Sequence, residues 1–229
     1  MKMRKEILCD SSALISLADS CMADSLEFMA RKFNLEFIIT DTIEYECVTH
    51  PLNLVTKEYA FSALRLKYAM ETGVLVKVSS SPSIAKKKDE ILNLTNNIFF
   101  AQGRSITLVQ AGEAEMLALA NELRIRNILM DERTTRLLLE APFKIKEHFE
   151  QEFRTNIMVN RENLEKFNDM VKDMNVFRSA EFISLAYSNG FFENYKKMGK
   201  EIYSAALYKL KYSGCSIRFD EIEELIKLS

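Results

Sequence analysis

Two apolar runs in this chain stop on aspartate. The run "ILCD" ends at Asp10 and "NILMD" ends at Asp131, so a carboxylate stands where each hydrophobic segment finishes. Two glutamates occupy related places. Glu46 lies one turn into the helix expected after the run "LEFIIT", and Glu113 opens the helix that Gly112 introduces. Four carboxylates gathered in one place repel one another, and burial adds a desolvation penalty; a divalent cation removes that conflict. Oxygen donors without histidine favour Mg²⁺ or Mn²⁺ over zinc, and neither His50 nor His148 has a companion at metal-ligand spacing. A metal held in this way orients and activates water, which suits phosphodiester hydrolysis and needs no nucleophilic side chain. The competing role for each acid is a helix cap or a solvated surface charge.

Spacing narrows the choice within each glutamate pair. Glu44 and Glu46 are two apart on one helix and do not share a face, and the same holds for Glu113 and Glu115. Cys47 and Val48 flank Glu46 and imply a half-buried setting, whereas Glu44 follows Asp41 among more polar neighbours, so Glu46 is the candidate.

The elements that must position these acids alternate. Apolar runs at Glu6–Cys9, Leu35–Thr40, Val74–Val78 and Asn127–Met130 read as strands, each followed by helical periodicity. Ser11 and Ser12 can cap the helix carrying Leu14, Ile15, Leu17 and Ala18. Strands separated by helices imply parallel pairing through crossovers, hence an α/β fold: a three-layer α/β/α sandwich with a parallel central sheet. In such sheets ligands bind at the carboxyl ends of the strands, which puts Asp10 and Asp131 at one edge. The segment "SSSPSIAKKKDE" reads as a linker that turns helical through Ile91, Leu94, Ile98 and Phe99. Beyond about residue 150 only helical runs are evident, stopped by Asn189-Gly190 and Ser213-Gly214. The expected division is therefore a nuclease-like domain over 1–145 and a helical C-terminal extension over 146–229, which completes the core, mediates association or covers the site.

Composition bounds the function. With 229 residues, 48% of them hydrophobic, the chain can bury one sizeable core. Its 31 basic and 33 acidic residues leave no global basic field to attract nucleic acid, so such contacts would have to be local. Cys9, Cys21, Cys47 and Cys215 show no CxxC or metal-finger spacing and read as reduced thiols. The run after Lys5 is interrupted by Asp10 and Asp19 and forms neither a signal peptide nor a membrane span; the expected location is cytoplasmic. Ser11 and Ser12 lack a GxSxG elbow and a histidine base, and there is no GxxxxGK[ST] loop, which disfavours serine hydrolysis and P-loop nucleotide hydrolysis.

"ILCDSSALI", "ITDTIEYECV", "GEAEMLALA" and "NILMDERTTR" follow one another in an order that resembles PIN domains, the metal-dependent ribonuclease fold that includes VapC-type toxins. The likeness spans roughly residues 5–145, and its third segment is most similar to the "GEAE" subgroup. The resemblance implies that Asp10, Glu46, Glu113 and Asp131 form the catalytic, metal-binding quartet for Mg²⁺ or Mn²⁺, with Ser12 or Ser11 a polar helper beside the first acid. It also implies RNA as substrate and, for a toxin, an antitoxin partner and a homodimer. Two departures stand out: many PIN domains have Asp where Glu113 stands, and the helical tail makes this chain longer than a compact toxin. Arg136 either touches a substrate phosphate or pairs with an acid. Lys86–Lys88 and Arg31 are candidate backbone contacts, although a lysine run opening a helix is usually a solvated face. The tail aromatics Phe191, Phe192, Tyr195, Tyr203 and Tyr208 recur at the spacing of packing groups. The competing class is a PIN-like binding or scaffold protein without turnover.

Overall fold

A computed structural model describes residues 5–229; the basic residues Lys2 and Arg4 of the N-terminus lie outside it. In chain order the elements are β1 (Lys5–Cys9), α1 (Ser11–Asp19), α2 (Asp24–Phe33), β2 (Leu35–Thr40), α3 (Asp41–Glu44), a π-helical turn (Tyr45–Thr49), α4 (His50–Asn53), α5 (Ala60–Glu71) and β3 (Leu75–Val78). There follow α6 (Pro82–Thr95), β4 (Phe99–Ala101), β5 (Arg104–Ser105), α7 (Ala111–Leu123), β6 (Asn127–Leu129), α8 (Arg133–Glu140), α9 (Pro142–Phe153), β7 (Ile157–Val159) and α10 (Arg161–Val171). The chain ends with β8 (Asn175–Phe177), α11 (Ser179–Ser188), a 3₁₀ segment (Glu193–Met198), α12 (Gly199–Tyr212) and α13 (Phe219–Lys227).

The fold is α/β, with a five-stranded parallel sheet in the order β3-β2-β1-β6-β8 and helices flanking it. Ile7 pairs with Phe37 on one side of β1 and with Asn127 on the other. Strands covered on both faces read as continuous apolar runs, which is why Leu8, Cys9, Phe37, Ile39, Ile128 and Leu129 are all fully buried. Two of the eight strands among the described residues, β7 and β8, lie past residue 150, where the sequence shows only helical runs. Each has three residues, too few for alternation to separate them from a helix end. A second departure follows α6. The helix stops at Thr95, and Ile98 and Phe99 enter a hairpin instead of extending it. Gln102 and Gly103, at φ of 51° and 78°, supply the two positive φ values that a two-residue hairpin turn of type I′ requires.

Contacts divide the chain into two compact units. The first comprises the chain up to Val78, Asn127–Glu132 and Phe177–Ser229; the second comprises Ser79–Arg126 and Arg133–Val176. This division differs from a boundary at residue 145, because the chain leaves the sheet after β3 and re-enters it at β6, and because α11, α12 and α13 belong with β1 and β2. In the first unit Phe182 of α11 meets Phe37 of β2 edge to face, with ring centroids 5.7 Å apart. Of the tail aromatics, Phe192 and Tyr203 are buried, Tyr203 stacks on Tyr187 at 4.2 Å and Phe191 meets Phe28 at 5.4 Å, whereas Tyr195 is exposed. In the second unit β4 pairs antiparallel with β5 and β7. No helix among the described residues is long and apolar enough to cross a membrane.

Arg178 ties the tail together. Its backbone N–H donates to Glu181 Oε2 at 2.8 Å, its Nη1 donates to the Ser216 carbonyl at 3.0 Å, and its Nη2 reaches Glu221 Oε1 at 3.2 Å. Burial works against the guanidinium's charge, but Glu181 and Glu221 outweigh it and raise its pKa. Removing one member of a buried ion pair strands its partners and typically costs about 3–5 kcal/mol. Because the Glu181 side chain keeps 37% of its solvent exposure, Arg178→Ala should destabilise the chain by about 2–3 kcal/mol in urea unfolding.

Candidate functional site

The carboxyl ends of β1 and β6 meet through one hydroxyl. Asp10 donates its backbone N–H to the Leu129 carbonyl at 2.9 Å, extending the β1–β6 ladder one step past the strand. Its side chain then caps α1, with Oδ2 accepting the Ser12 N–H at 3.1 Å. Ser12 Oγ donates to the same Oδ2 and accepts the backbone N–H groups of Asp131 and Glu132, each at 3.1 Å. Asp10 and Asp131 thus stand at one edge of the sheet, 5% and 1% exposed. Of the two serines, Ser12 is the one beside the first acid.

Asp131 faces α11. Ser179, the first residue of that helix, donates its N–H to Asp131 Oδ1 at 2.8 Å and its hydroxyl to Oδ2 at 2.6 Å. Cys215 lies against the same pair. Burial first, and then the charge of Asp131, push its thiol up to about 12. Both oxygens of Asp131 therefore have donors within the first unit, and the residue that supplies them is 48 positions away in sequence. No periodicity or spacing marks Ser179 as a site residue.

Glu46 reaches the site from the other side. Its Oε2 accepts the Ser11 hydroxyl at 2.7 Å, which places it beside the residue that follows Asp10. The setting differs from the expected one: Cys47 and Val48 turn inward at 2% and 4% exposure, while Glu46 itself is exposed. The cause is the π-helical winding of Tyr45–Thr49, an irregularity frequent at functional sites. Glu44 instead accepts the Thr49 hydroxyl at 2.7 Å and lies 4.0 Å from Lys77. Burial, with the nearby charge of Glu44, pushes the Cys47 thiol up to about 12.

Glu113 and Arg136 belong to the second unit. Glu113 accepts the Gln110 N–H at 2.6 Å and forms a capping box at the start of α7. Its neighbour Glu115 is the inward-facing member of the pair, 7% exposed, and its Oε2 has no hydrogen-bond partner among the described residues. Arg136 pairs with Glu140 at 2.8 Å, the acid-pairing alternative. Two of the candidate phosphate contacts are engaged: Lys87 meets Glu90 at 3.1 Å, and Arg31 pairs with Glu27.

No family model, no curated protein and no solved structure matches the chain. Among the described residues no three His, Cys, Asp or Glu side chains stand as a ready metal-binding group. In the first unit, Asp10, Glu46 and the hydroxyl of Ser11 are oxygen donors of the kind Mg²⁺ or Mn²⁺ takes. Such an ion keeps several waters and is commonly held by only one or two carboxylates together with a substrate phosphate. The donor set fits that mode of binding.

Two measurements test the geometry. Ser179→Ala removes the hydroxyl from a buried carboxylate oxygen and should lower stability by about 1–3 kcal/mol, read by chemical denaturation. The raised thiols set a pH dependence. In the unfolded chain Cys47 and Cys215 ionise near the ordinary thiol value of 9.0, whereas in the folded chain they hold their protons to about 12. Their contribution is complete below the lower value and is lost as pH rises through the window, so stability should fall from pH 9.0 toward about 12. Replacing both cysteines with alanine should flatten that fall, measured as midpoint against pH.

Proposed function

We propose that this chain is a Mg²⁺- or Mn²⁺-dependent ribonuclease of the PIN type, acting in the cytoplasm on RNA phosphodiester bonds. The observation that carries the reading is the pair of carboxylates at the ends of adjacent parallel strands, Asp10 and Asp131, joined through the Ser12 hydroxyl. Open parallel sheets bind their ligands at this edge. Asp10 and Glu46 would hold the metal. When bound, the ion lowers the pKa of a coordinated water and offsets charge that builds on the phosphate.

The chain's own residues then have separable roles. Ser12 fixes the carboxylate of Asp10 through its N–H and hydroxyl, so that the oxygen's position is set before any ligand arrives. Ser11 orients Glu46, which is exposed and otherwise free to sample rotamers. Asp131 contributes negative potential at the edge while its own oxygens remain with Ser179. A toxin role, with an antitoxin partner and a homodimer, rests on the sequence resemblance alone.

One observation favours the second reading, a PIN-like binding or scaffold protein without turnover: Asp131 is sealed under α11. Cleavage decides between them. Purified chain should cut single-stranded RNA in Mg²⁺ or Mn²⁺ and not in chelator, and Asp10→Asn should remove that activity. Ser12→Ala, which loosens Asp10 without deleting a carboxylate, should lower the rate by about 10–100-fold, the usual effect of losing a group that orients a metal ligand. RNA bound but uncut by the parent across varied sequences would favour the scaffold reading.

A further inference from the structure

Beside Glu46 the first unit contains a pocket of about 450 Å³, within the roughly 300–1,000 Å³ typical of ligand sites. Asp19, Glu46, His50, Tyr59, Ser62 and Tyr212 are among its lining residues. Three further features single it out. Tyr59 and Tyr212 leave large rings in solvent, 42% and 74% exposed, at its wall. Ile15, Pro51 and Leu54 give it an apolar surface. Asp19 takes the Ser62 hydroxyl on Oδ1, and its Oδ2 has no hydrogen-bond partner among the described residues.

We propose that this pocket receives a nucleobase of single-stranded RNA, and guanine in particular. The inference rests on the ribonuclease reading and names what lies next to the cleaved phosphate. Single-stranded RNA is recognised by splaying bases onto aromatic rings and hydrogen-bonding their Watson–Crick edges, and each stacked base is sequence-tolerant until a polar group reads its edge. Here the reader is an acceptor. A carboxylate selects an edge that donates, and guanine alone presents N1–H and the N2 amino group side by side. Uracil's edge carries one donor, N3–H, set between two carbonyl oxygens that Asp19 repels. The two acids also exclude a phosphate from the pocket itself, so the base enters and the backbone stays outside, on the side where Ser11 links Glu46 to Asp10's neighbourhood.

The test separates base binding from cleavage. Guanosine, inosine and uridine, which carry no phosphate, are titrated against the full chain in chelator. Guanosine should bind at least about tenfold more tightly than inosine, which lacks the N2 amino group, or than uridine. Asp19→Asn retains an acceptor for Ser62 but offers the pocket a donor, so it should erase the guanosine preference in a chain that stays folded by circular dichroism. Tyr212→Leu should weaken all three nucleosides about tenfold. Equal binding of guanosine and uridine, an undiminished preference in folded Asp19→Asn, or tighter binding of a simple alkylamine than of guanosine would overturn the proposal. Metal-dependent RNA cleavage with no base preference that Asp19→Asn alters would likewise reject the pocket while keeping the nuclease. Asp19-dependent guanosine binding by a chain that cuts no RNA would support the pocket and remove the nuclease reading.

Discussion

Two carboxylates at the ends of neighbouring parallel strands repel, and the first unit is built around relieving that repulsion with serines at helix starts. Asp10 receives the N–H and hydroxyl of Ser12 in the first turn of α1; Asp131 receives the N–H and hydroxyl of Ser179 at the first residue of α11. The same device is used twice, and each time the positive end of a helix points at the acid. Ser12 then couples the two halves, because its oxygen accepts the N–H groups of Asp131 and Glu132 while its proton goes to Asp10. Moving either strand end would break both arrangements.

This dependence explains why the C-terminal helices belong to the sheet's unit. Asp131 is desolvated by α11 and Cys215, and a carboxylate at 1% exposure survives only with its donors in place. Arg178, one residue before Ser179, fastens that helix start to the Ser216 carbonyl and to Glu221 of α13. The tail is therefore a structural requirement of the strand end, and the single-residue step from Arg178 to Ser179 connects the clamp to the acid.

What was legible in the sequence follows from the range of the interactions involved. β1, β2, β3 and β6 announce themselves as apolar runs with a cap behind them, so the parallel sheet and the common edge of Asp10 and Asp131 could be read locally. The strands β7 and β8 are three residues each and carry no period. Glu46 lacks the burial that its neighbours Cys47 and Val48 imply; what sets it apart from Glu44 is the π-helical turn, which sends Glu46 toward Ser11 and Glu44 toward Thr49. Glu113 and Glu115 divide as well: a capping box holds the first at the helix start while the second turns inward. Ser179 illustrates the limit: its role exists only through a contact across 48 residues.

The acids of the first unit are therefore unequal, and the inequality bears on chemistry. Asp131 has both oxygens committed to donors and is shut away from solvent, so drawing it toward a cation would require giving up two hydrogen bonds to a buried helix start. Asp10 Oδ2 is fixed by Ser12 at the start of α1, and Glu46 is exposed and accepts the Ser11 hydroxyl. Exchanging Ser11's hydroxyl for a hard cation would be a small rearrangement by comparison, since it gives up one hydrogen bond at an exposed carboxylate instead of two at a buried one. On the metal-dependent reading proposed above, Asp10 and Glu46 would be the residues that hold the cation, while Asp131, kept by Ser179, would act as a fixed negative charge at the same sheet edge.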